Sequence, residues 1–355
     1  MKGWNKDMRI DGREIGVNKP PYLIAEISAN HNGSLSRALD LIAAAKRNGA
    51  SAVKLQTYTA DTLTIQSAKS DFQINGGIWD GRTLYDLYQQ AHTPWEWHQE
   101  LFDAASEIGI TIFSSPFDAS AVELLERLNA PAYKIASFEI VDLELIRIAA
   151  STGKPLIIST GLASLEEITE AYDVAMESGA EDVALLHCLS SYPAPASEYK
   201  LNTIEKLRSI FDSQIGLSDH TVGNDVALAA ISLGATIIEK HFTWDTTSGG
   251  PDDSFSMDPS GLKSLRESAD RVWESLGFDN FAIQPSERDN IRFRRSLYFV
   301  KDVKRGEMLS RDHVRSIRPG YGVAPKFLKK IIGKNAPVAF YAGDPVTKEV
   351  LDQLC

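Results

Sequence analysis

Ionisable and hydroxyl side chains recur in this chain as pairs separated by a single residue. Three such pairs stand out: Lys54 and Gln56, Ser218 and His220, Glu239 and His241. In an extended strand, alternate side chains lie on the same face, so each pair would point in one direction. Ammonium and hydroxyl groups bind phosphates and carboxylates, whereas carboxylates transfer protons. The pairs therefore suit catalysis on an anionic substrate.

His220 and His241 are the candidate metal ligands. Neutral imidazoles bind Mn²⁺, Fe²⁺ or Zn²⁺, with water or substrate oxygens in the remaining positions. Two histidines are a weak metal signal, because lone histidines at strand ends are often only hydrogen-bonded. The residues alone leave both interpretations open.

The lysines are the candidate anion ligands. Together with nearby hydroxyls they could hold a phosphate group; the set is Lys54, Lys134, Ser137, Ser159 and Ser218. Either lysine could instead form a Schiff base or an ion pair with a core glutamate. No P-loop and no G-x-G-x-x-G motif is present, so a nucleotide is not indicated.

Eight β-rich runs alternate with helical patterns over the first three quarters of the chain. They are Tyr22–Ser28, Ala52–Tyr58, Thr111–Pro116, Ala132–Ser137, Pro155–Thr160, Val183–Cys188, Gln214–His220 and Thr236–Phe242. Most start about 20–30 residues apart, which is typical of βα units in a parallel sheet. The pattern predicts an α/β fold, a (β/α)₈ TIM barrel over residues 1–276, with a doubly wound sheet as the alternative.

Three helix signals accompany the strands. Pro94 after Thr93 predicts a helix start, Ser164 with Glu167 is a capping box, and Pro259–Leu276 would be the eighth helix. The long insertion at 59–93 should lie over the barrel mouth. Since barrel active sites lie at the carboxyl ends of the strands, the polar pairs should meet there. Polar residues that merely end strands would explain one or two strands, not eight.

Charge is distributed unevenly along the chain. The net charge is −11, yet residues 293–355 carry 13 Lys and Arg against 6 Asp and Glu. We expect a polar linker at 277–292 and a small β-rich domain at 293–355. The acidic balance argues against nucleic acid as a partner, and no apolar run approaches the roughly 18 residues of a membrane span. Two cysteines, Cys188 and Cys355, fit a cytoplasmic protein without a disulfide framework.

Several longer stretches resemble the sialic acid synthase family. They are IAEISANHNGS (24–34), VKLQTY (53–58), YKIAS (133–137), STG (159–161), HCLSSYP (187–193), GLSDHT (216–221), IEKHF (238–242) and GGPDDSFS (249–256). The C-terminal RRSLYF and IRPGYG resemble that family's antifreeze-like domain, the β-clip fold called SAF. The resemblance covers about residues 20–350 in order, and implies a barrel followed by a SAF domain.

Within the family, the chain looks most like the branch that makes pseudaminic acid. The stretches that indicate this are SANH at 28–31, QTYTADTLT at 56–64, the insertion from 69 to 98, and DSFSMD at 253–258. Two positions depart from the N-acetylneuraminate and legionaminate branches: Ser190 replaces their usual Asn, and Asp253 replaces their usual His. Both departures are expected to bear on the sugar pocket.

The resemblance implies a condensation of phosphoenolpyruvate, an open-chain amino sugar and water to a nonulosonic acid and phosphate. The sugar of this branch would be 2,4-diacetamido-2,4,6-trideoxy-β-L-altropyranose. Glu26 would be the general acid or base, and His220 and His241 would hold Mn²⁺ or Mg²⁺. The residues implied for phosphoenolpyruvate are Lys54, Lys134, Ser137, Ser159, Ser190 and Ser218, and those for the sugar are Gln56, Tyr192, Glu239, Asp252 and Arg318.

The resemblance also implies a homodimer in which the SAF domain is exchanged between chains, so that Arg318 reaches the partner's sugar. The sequence leaves three alternative functions open. One is a Schiff-base aldolase using Lys54 or Lys134. Another is a non-catalytic barrel whose basic unit binds polysaccharide or nucleic acid. The third is a synthase of the same family for another sugar, such as N-acetylmannosamine.

Overall fold

The computed structural model describes residues 7–277 and 281–354. The chain separates into two compact units, dividing after Gly277. Cys355, the first six residues of the predicted barrel segment and residues 278–280 of the predicted linker lie outside the described residues.

The larger unit is a closed barrel of eight parallel strands, in the order β10-β3-β4-β5-β6-β7-β8-β9. A short hairpin, β1 (Met8–Ile10) and β2 (Arg13–Ile15), precedes it. The barrel strands are β3 (Tyr22–Glu26), β4 (Ala52–Thr57), β5 (Thr111–Pro116), β6 (Tyr133–Ile135), β7 (Leu156–Ser159), β8 (Val183–Cys188), β9 (Gln214–Asp219) and β10 (Ile237–His241). The predicted TIM barrel is confirmed, and each strand lies within its predicted run.

Helices fill the connections between the strands. Their bounds are α1 (Leu35–Arg47), α2 (Ala60–Leu63), α3 (Leu84–Ala91), α4 (His98–Ile108), α5 (Ala119–Arg127), α6 (Leu143–Ala150), α7 (Leu165–Glu177), α8 (Thr203–Ile210), α9 (Asp225–Ser232) and α10 (Pro259–Leu276). Two predicted signals are confirmed. Ser164 and Glu167 form the capping box of α7, and α10 has Asp258 as its N-cap and Pro259 at its first position.

The predicted helix start at Thr93 and Pro94 is wrong. Pro94 has an extended backbone (ψ 133°) and is followed by a 3₁₀ turn, Trp95–Trp97, before α4 begins at His98. The Trp95 Nε1–H group donates to the Tyr58 carbonyl at 3.2 Å. This tertiary bond holds the turn against the end of β4, and the helix therefore begins later than the local signal indicates.

The inner face of the barrel changes from apolar to polar along the strands. Near the amino ends of the strands, the inward side chains form one apolar cluster with Met8, Ile10 and Ile15 of the β1–β2 hairpin. The hairpin therefore closes this end of the barrel and forms its floor. Ile24 and Ala52 lie in that cluster. Two residues further on, the same faces carry buried Glu26 and Lys54. Strand alternation therefore brings the ionisable residues into the mouth, above a packed floor.

The insertion after β4 contains α2 and α3 and a β-bridge between Gln73 and Thr83. The Trp79 Nε1–H group donates to the Pro251 carbonyl at 3.0 Å, and the Trp79 ring contacts the Tyr192 ring, with centroids 5.7 Å apart. Pro251 follows β10 and Tyr192 follows β8. The insertion therefore lies against the carboxyl end of the barrel, as predicted.

The smaller unit contains the strands β11 (Ser296–Phe299) and β12 (Val314–Ile317), paired antiparallel, and the short helices α11 (Leu328–Ile331) and α12 (Lys348–Leu354). A core that includes Leu297, Phe299 and Phe340 holds it together. A 3₁₀ helix, Pro285–Phe293, covers the second half of the segment that was predicted as a polar linker. Within residues 7–277 and 281–354, no helix has the length and apolar character needed to cross a membrane.

Candidate active site

Two lysines and two glutamates form a buried charged cluster at the centre of the mouth. Lys54 Nζ lies 2.5 Å from Glu26 Oε2 and 3.2 Å from Glu239 Oε1. Lys134 Nζ lies 3.9 Å from the same Glu239 oxygen. All four side chains are at most 5% exposed. The two lysines are therefore matched by two glutamates. Of the alternatives for Lys54, the structure shows the ion pair with a core glutamate.

Burial sets the ionisation of this cluster. Desolvation lowers the pKa of Lys54 to about 8, and the charge of Glu239 opposes that change. Desolvation alone would raise the pKa of Glu239, but Lys134 and Lys54 together bring it below its usual value. Glu26 Oε1 also accepts the backbone N–H of Ser28 at 2.7 Å, which fixes the carboxylate within the mouth.

Hydroxyl groups line one side of the cluster. Lys134 Nζ donates to Ser159 Oγ at 2.6 Å, and the Gly161 N–H donates to Ser137 Oγ at 3.1 Å. A Cβ atom at Gly161 would lie only 2.3 Å from Ser190 Oγ and 2.7 Å from Ser137 Oγ. Glycine here leaves room for both serine hydroxyls beside the backbone of residue 161. The result is a set of ammonium, hydroxyl and amide donors that suits an anion.

His220 and His241 come together as predicted, with ring centroids 5.4 Å apart. His220 Nδ1 lies 2.9 Å from the Leu189 carbonyl, which leaves Nε2 available as a ligand. His241 Nδ1 is buried and, within the described chain, has no hydrogen-bond partner; Asp252 Oδ2 lies 3.7 Å away. Burial holds the pKa of His241 well below its ordinary value, so the imidazole is neutral. These nitrogens fit a divalent metal, although the described residues contain no cluster of three or more His, Cys, Asp or Glu with ligand geometry.

Aromatic side chains cover the two histidines. The Tyr192 ring lies with its centroid 4.4 Å from that of His220 and 5.3 Å from that of Phe255. Phe255 in turn contacts His241 at 5.0 Å, and Trp79 reaches Tyr192 from the insertion. An apolar wall therefore lies beside the polar cluster. A pocket with these two surfaces suits an amphipathic ligand.

Asp252 and its neighbour Asp253 have different surroundings. Asp252 Oδ2 accepts a hydrogen bond from Ser28 Oγ and faces His241. Asp253 is fully buried, and its Oδ2 accepts from Asn32 Nδ2 at 2.9 Å and from the Gly250 N–H at 2.8 Å.

The prediction that Asp253 bears on the sugar pocket needs correction. The other oxygen of its carboxylate accepts from Thr243 Oγ1 and lies 3.4 Å from Arg37 Nη2. Both oxygens are thus bonded within the protein. Asp253 anchors the loop that carries Asp252, and any influence on the sugar passes through that loop.

The remaining predicted residues differ in placement. Ser218 Oγ donates to Glu239 Oε1 at 3.2 Å, so Ser218 joins the charged cluster. Gln56 lies two residues beyond Lys54, opposite Ser115 of β5, at the rim of the mouth. Arg318 belongs to the smaller unit, where it is exposed and lines a cleft with Arg295, Ser316 and Ile317.

Two residues of the mouth were missed in the sequence. Glu139 ends a 3₁₀ turn after β6, and its Oε2 is buried with no hydrogen-bond partner among the described residues. Burial raises the pKa of Glu139 to about 7, against the effect of Lys134. Cys188 Sγ lies 3.9 Å from His220 Nδ1. Cys188 ends β8 and Glu139 follows β6, so position at or after the end of a strand was the signal that could have found both.

Known proteins share this architecture and sequence. The Helicobacter pylori protein named pseudaminic acid synthase is 44% identical over 336 residues, covering 94% of this chain and 99% of that protein. A Campylobacter jejuni subsp. jejuni protein of the same name is 43% identical, covering 93% of this chain and 96% of that protein. A crystal structure of N-acetylneuraminic acid synthetase from Leptospira borgpetersenii, in complex with citrate, has a TM-score of 0.74 at 31% identity. It covers 83% of this chain and 98% of that one.

Family models match both units. The model described as the NeuB family matches residues 41–280, and the model described as the SAF domain matches residues 294–351. The resemblance inferred from the strand-end motifs is confirmed. The chain belongs to the NeuB family and carries a SAF domain after its barrel.

Proposed function

We propose that this protein is a pseudaminic acid synthase. It condenses phosphoenolpyruvate with 2,4-diacetamido-2,4,6-trideoxy-β-L-altropyranose and water, and releases pseudaminic acid and phosphate. The observation that carries the proposal is the buried donor set around Lys134, Ser159 and Gly161 directly beside the charged cluster. Identities of 44% and 43% to two proteins of that name, over nearly the whole chain, support the choice of branch.

The phosphate and carboxylate of phosphoenolpyruvate would occupy the donor set. Its proposed ligands are Lys54, Lys134, Ser137, Ser159, Ser190 and Ser218. Because the lysines are already balanced by Glu26 and Glu239, the incoming anion competes with these carboxylates for them. That competition would free Glu26 from Lys54 at the moment the substrate binds.

Glu26 is the proposed general base and acid. C3 of phosphoenolpyruvate attacks the aldehyde of the open-chain sugar, and water adds at C2. The tetrahedral intermediate then loses phosphate by cleavage of its C–O bond. Glu26 lies at the centre of the cluster, where it could take a proton from the water or deliver one to the new alkoxide.

His220 and His241 would hold the divalent metal, Mn²⁺ or Mg²⁺. Bound there, it would polarise the sugar aldehyde as a Lewis acid. Support comes from His241 Nδ1, which has no hydrogen-bond partner in the part of the chain that the structure describes, and from the Leu189 carbonyl that orients His220. Gln56, Tyr192, Glu239 and Asp252 would orient the sugar beside it.

Replacing Glu26 should stop the condensation. We expect Glu26→Gln to lower kcat by about 10²–10⁴, the usual contribution of a positioned acid or base. Phosphate release from phosphoenolpyruvate with the diacetamido sugar measures the effect. Glu126→Gln is the matched control, because Glu126 also pairs with a lysine, Lys154 at 2.5 Å, outside the mouth. A kcat for Glu26→Gln within about threefold of the wild-type value would remove Glu26 from the chemistry.

One feature favours a second function, the Schiff-base aldolase. Burial lowers the pKa of Lys54 to about 8, which increases the fraction of free amine. The two carboxylates within 3.2 Å of Lys54 act in the opposite direction by favouring the ammonium ion. Borohydride reduction in the presence of substrate distinguishes the two functions, because only the aldolase would leave a covalent adduct on Lys54.

We further propose a homodimer in which the SAF unit of one chain covers the barrel mouth of the other. Exposed apolar side chains follow several strands at the rim of the mouth: Phe138, Val141, Leu162, Val222 and Trp244. An apolar rim around a polar mouth suits a protein partner. Arg318 is exposed in the smaller unit and would reach the acyl group of the sugar from there.

Mixed dimers test this arrangement. Glu26→Ala and Arg318→Ala should each be nearly inactive alone. If the arginine is delivered between chains, a mixed dimer has one intact site, made from the Arg318→Ala barrel and the partner's SAF unit. Random exchange at equal amounts makes about half of the dimers mixed, so about a quarter of wild-type activity should return. Subunits must be co-expressed or dissociated and reassembled. Continued inactivity after confirmed exchange would mean that Arg318 acts within its own chain.

A further inference from the structure

Behind the two histidines lies a second, separate ion pair. Lys240 Nζ lies 2.7 Å from Asp219 Oδ2, and both side chains are at most 4% exposed. The two residues are register partners on the adjacent strands β9 and β10. Each directly precedes a proposed metal ligand in sequence, His220 and His241 respectively. Because strand side chains alternate, the pair lies on the opposite face from the ligands, outside the mouth.

Both members of the pair also bind the residue that follows His220. Asp219 Oδ1 accepts the Thr221 backbone N–H at 2.9 Å and its hydroxyl at 2.8 Å. Lys240 Nζ donates to the Thr221 carbonyl at 2.9 Å. The backbone after His220 is therefore bonded on its N–H and carbonyl sides to groups on two different strands.

Stability alone explains this arrangement poorly. A buried ion pair often contributes no more than well-packed apolar residues of similar volume, since desolvation offsets the attraction. An apolar pair would fill the same space but could not bind the N–H, hydroxyl and carbonyl of Thr221. The charged pair therefore fixes the backbone conformation where β9 ends and the next loop begins.

We propose that Asp219 and Lys240 are positioning residues that hold His220 and His241 at the separation and orientation a divalent metal requires. The inference rests on the proposed metal site. The pair contacts neither the metal nor the substrates, so it acts through the backbone that carries the two imidazoles. Removal of groups that orient metal ligands typically changes metal affinity by about 10–100-fold.

The test is the apolar double variant Asp219→Leu/Lys240→Met, which removes the bonds to Thr221, because either single change would leave a buried charge without its partner. Mn²⁺ binding is measured from the electron paramagnetic resonance signal of free Mn²⁺, without substrates. We expect its Kd to rise about 10–100-fold. Phosphoenolpyruvate binding, measured by calorimetry without metal, should stay within about twofold, because Lys134 and its serines are untouched. Glu126→Gln/Lys154→Met, which removes a lysine–glutamate pair away from the mouth, should change neither value.

A second variant covers failure of the first to fold. Lys240→Arg keeps the charge and the donors, but its longer planar group must shift to reach both Asp219 and Thr221, so Mn²⁺ binding should weaken in the variant that circular dichroism shows to be folded. Unchanged Mn²⁺ affinity in the folded variants would overturn the inference while leaving the metal site standing. An equal loss of phosphoenolpyruvate affinity would also overturn it, because the pair would then support the whole mouth. If the wild-type protein itself bound no Mn²⁺, the proposed metal site would fail and the inference with it.

Discussion

Exhaustive chelation should abolish turnover, and Mn²⁺ should restore it. His220→Ala and His241→Ala should each lower kcat by at least about 10³-fold, because loss of Lewis-acid polarisation of an aldehyde costs several kcal/mol of transition-state stabilisation. Both variants should remain folded. The two rings lie above the apolar floor of the barrel, so their removal leaves that cluster intact. The measurement is phosphate release by the chelated and variant proteins at saturating substrate.

A histidine outside the barrel serves as the control. His313→Ala alters the smaller unit, where His313 Nδ1 lies 3.2 Å from the Ser310 N–H, and should leave the metal requirement unchanged. Circular dichroism of each variant separates loss of metal from loss of fold. Full activity after chelation, with residual metal shown to be absent, would eliminate the metal from the mechanism.

The protein should prefer the diacetamido trideoxy sugar to N-acetylmannosamine by up to about 10⁴ in kcat/KM. About 10² of this preference should come from the second acetamido group, because a site built to bind it keeps unpaired polar groups when it is missing. The other factor of about 10² should come from the methyl group of the deoxy sugar. The wall of Trp79, Tyr192 and Phe255 suits a methyl and offers little to a hydroxymethyl.

Two substitutions at Trp79 separate these contributions. Trp79→Ala should remove most of the methyl preference, about 10²-fold, while the acetamido preference persists. Trp79→Phe keeps an aromatic ring and loses only the hydrogen bond to the Pro251 carbonyl, so it should retain most of the selectivity. The comparison is kcat/KM for both sugars in each protein. Equal values for the two sugars in the wild-type protein would contradict the proposed branch.

Much of the barrel could be predicted because its signals are local. The barrel strands are short, largely apolar runs that end in polar residues, and the capping groups of α7 and α10 lie within three residues of the helix starts. The cluster of Lys54, Glu26 and Glu239 followed from the polar strand ends, since parallel strands bring their carboxyl ends together. Strand register is tightly specified where one face is a packed core, and this is why positions far apart in sequence could be placed together.

The environment of Asp253 could not be predicted, because its partners lie far away in sequence. Asn32 and Arg37 precede it by more than 200 residues, and only the folded barrel brings the loop after β3 and the first turn of α1 to the loop after β10. The β1–β2 floor was missed for a similar reason. Met8, Ile10 and Ile15 become a core only when the strands above them close into a ring.

The central claim is that phosphoenolpyruvate condenses with the sugar and loses phosphate by C–O cleavage. It is tested most directly with phosphoenolpyruvate that carries ¹⁸O in the oxygen bridging C2 and phosphorus. The protein, Mn²⁺ and the diacetamido sugar are incubated together, and both products are analysed by mass spectrometry. We predict one phosphate per nonulosonic acid, with the ¹⁸O in the phosphate. Consumption of the sugar without phosphate release, or ¹⁸O retained in the carbon product, would contradict the account.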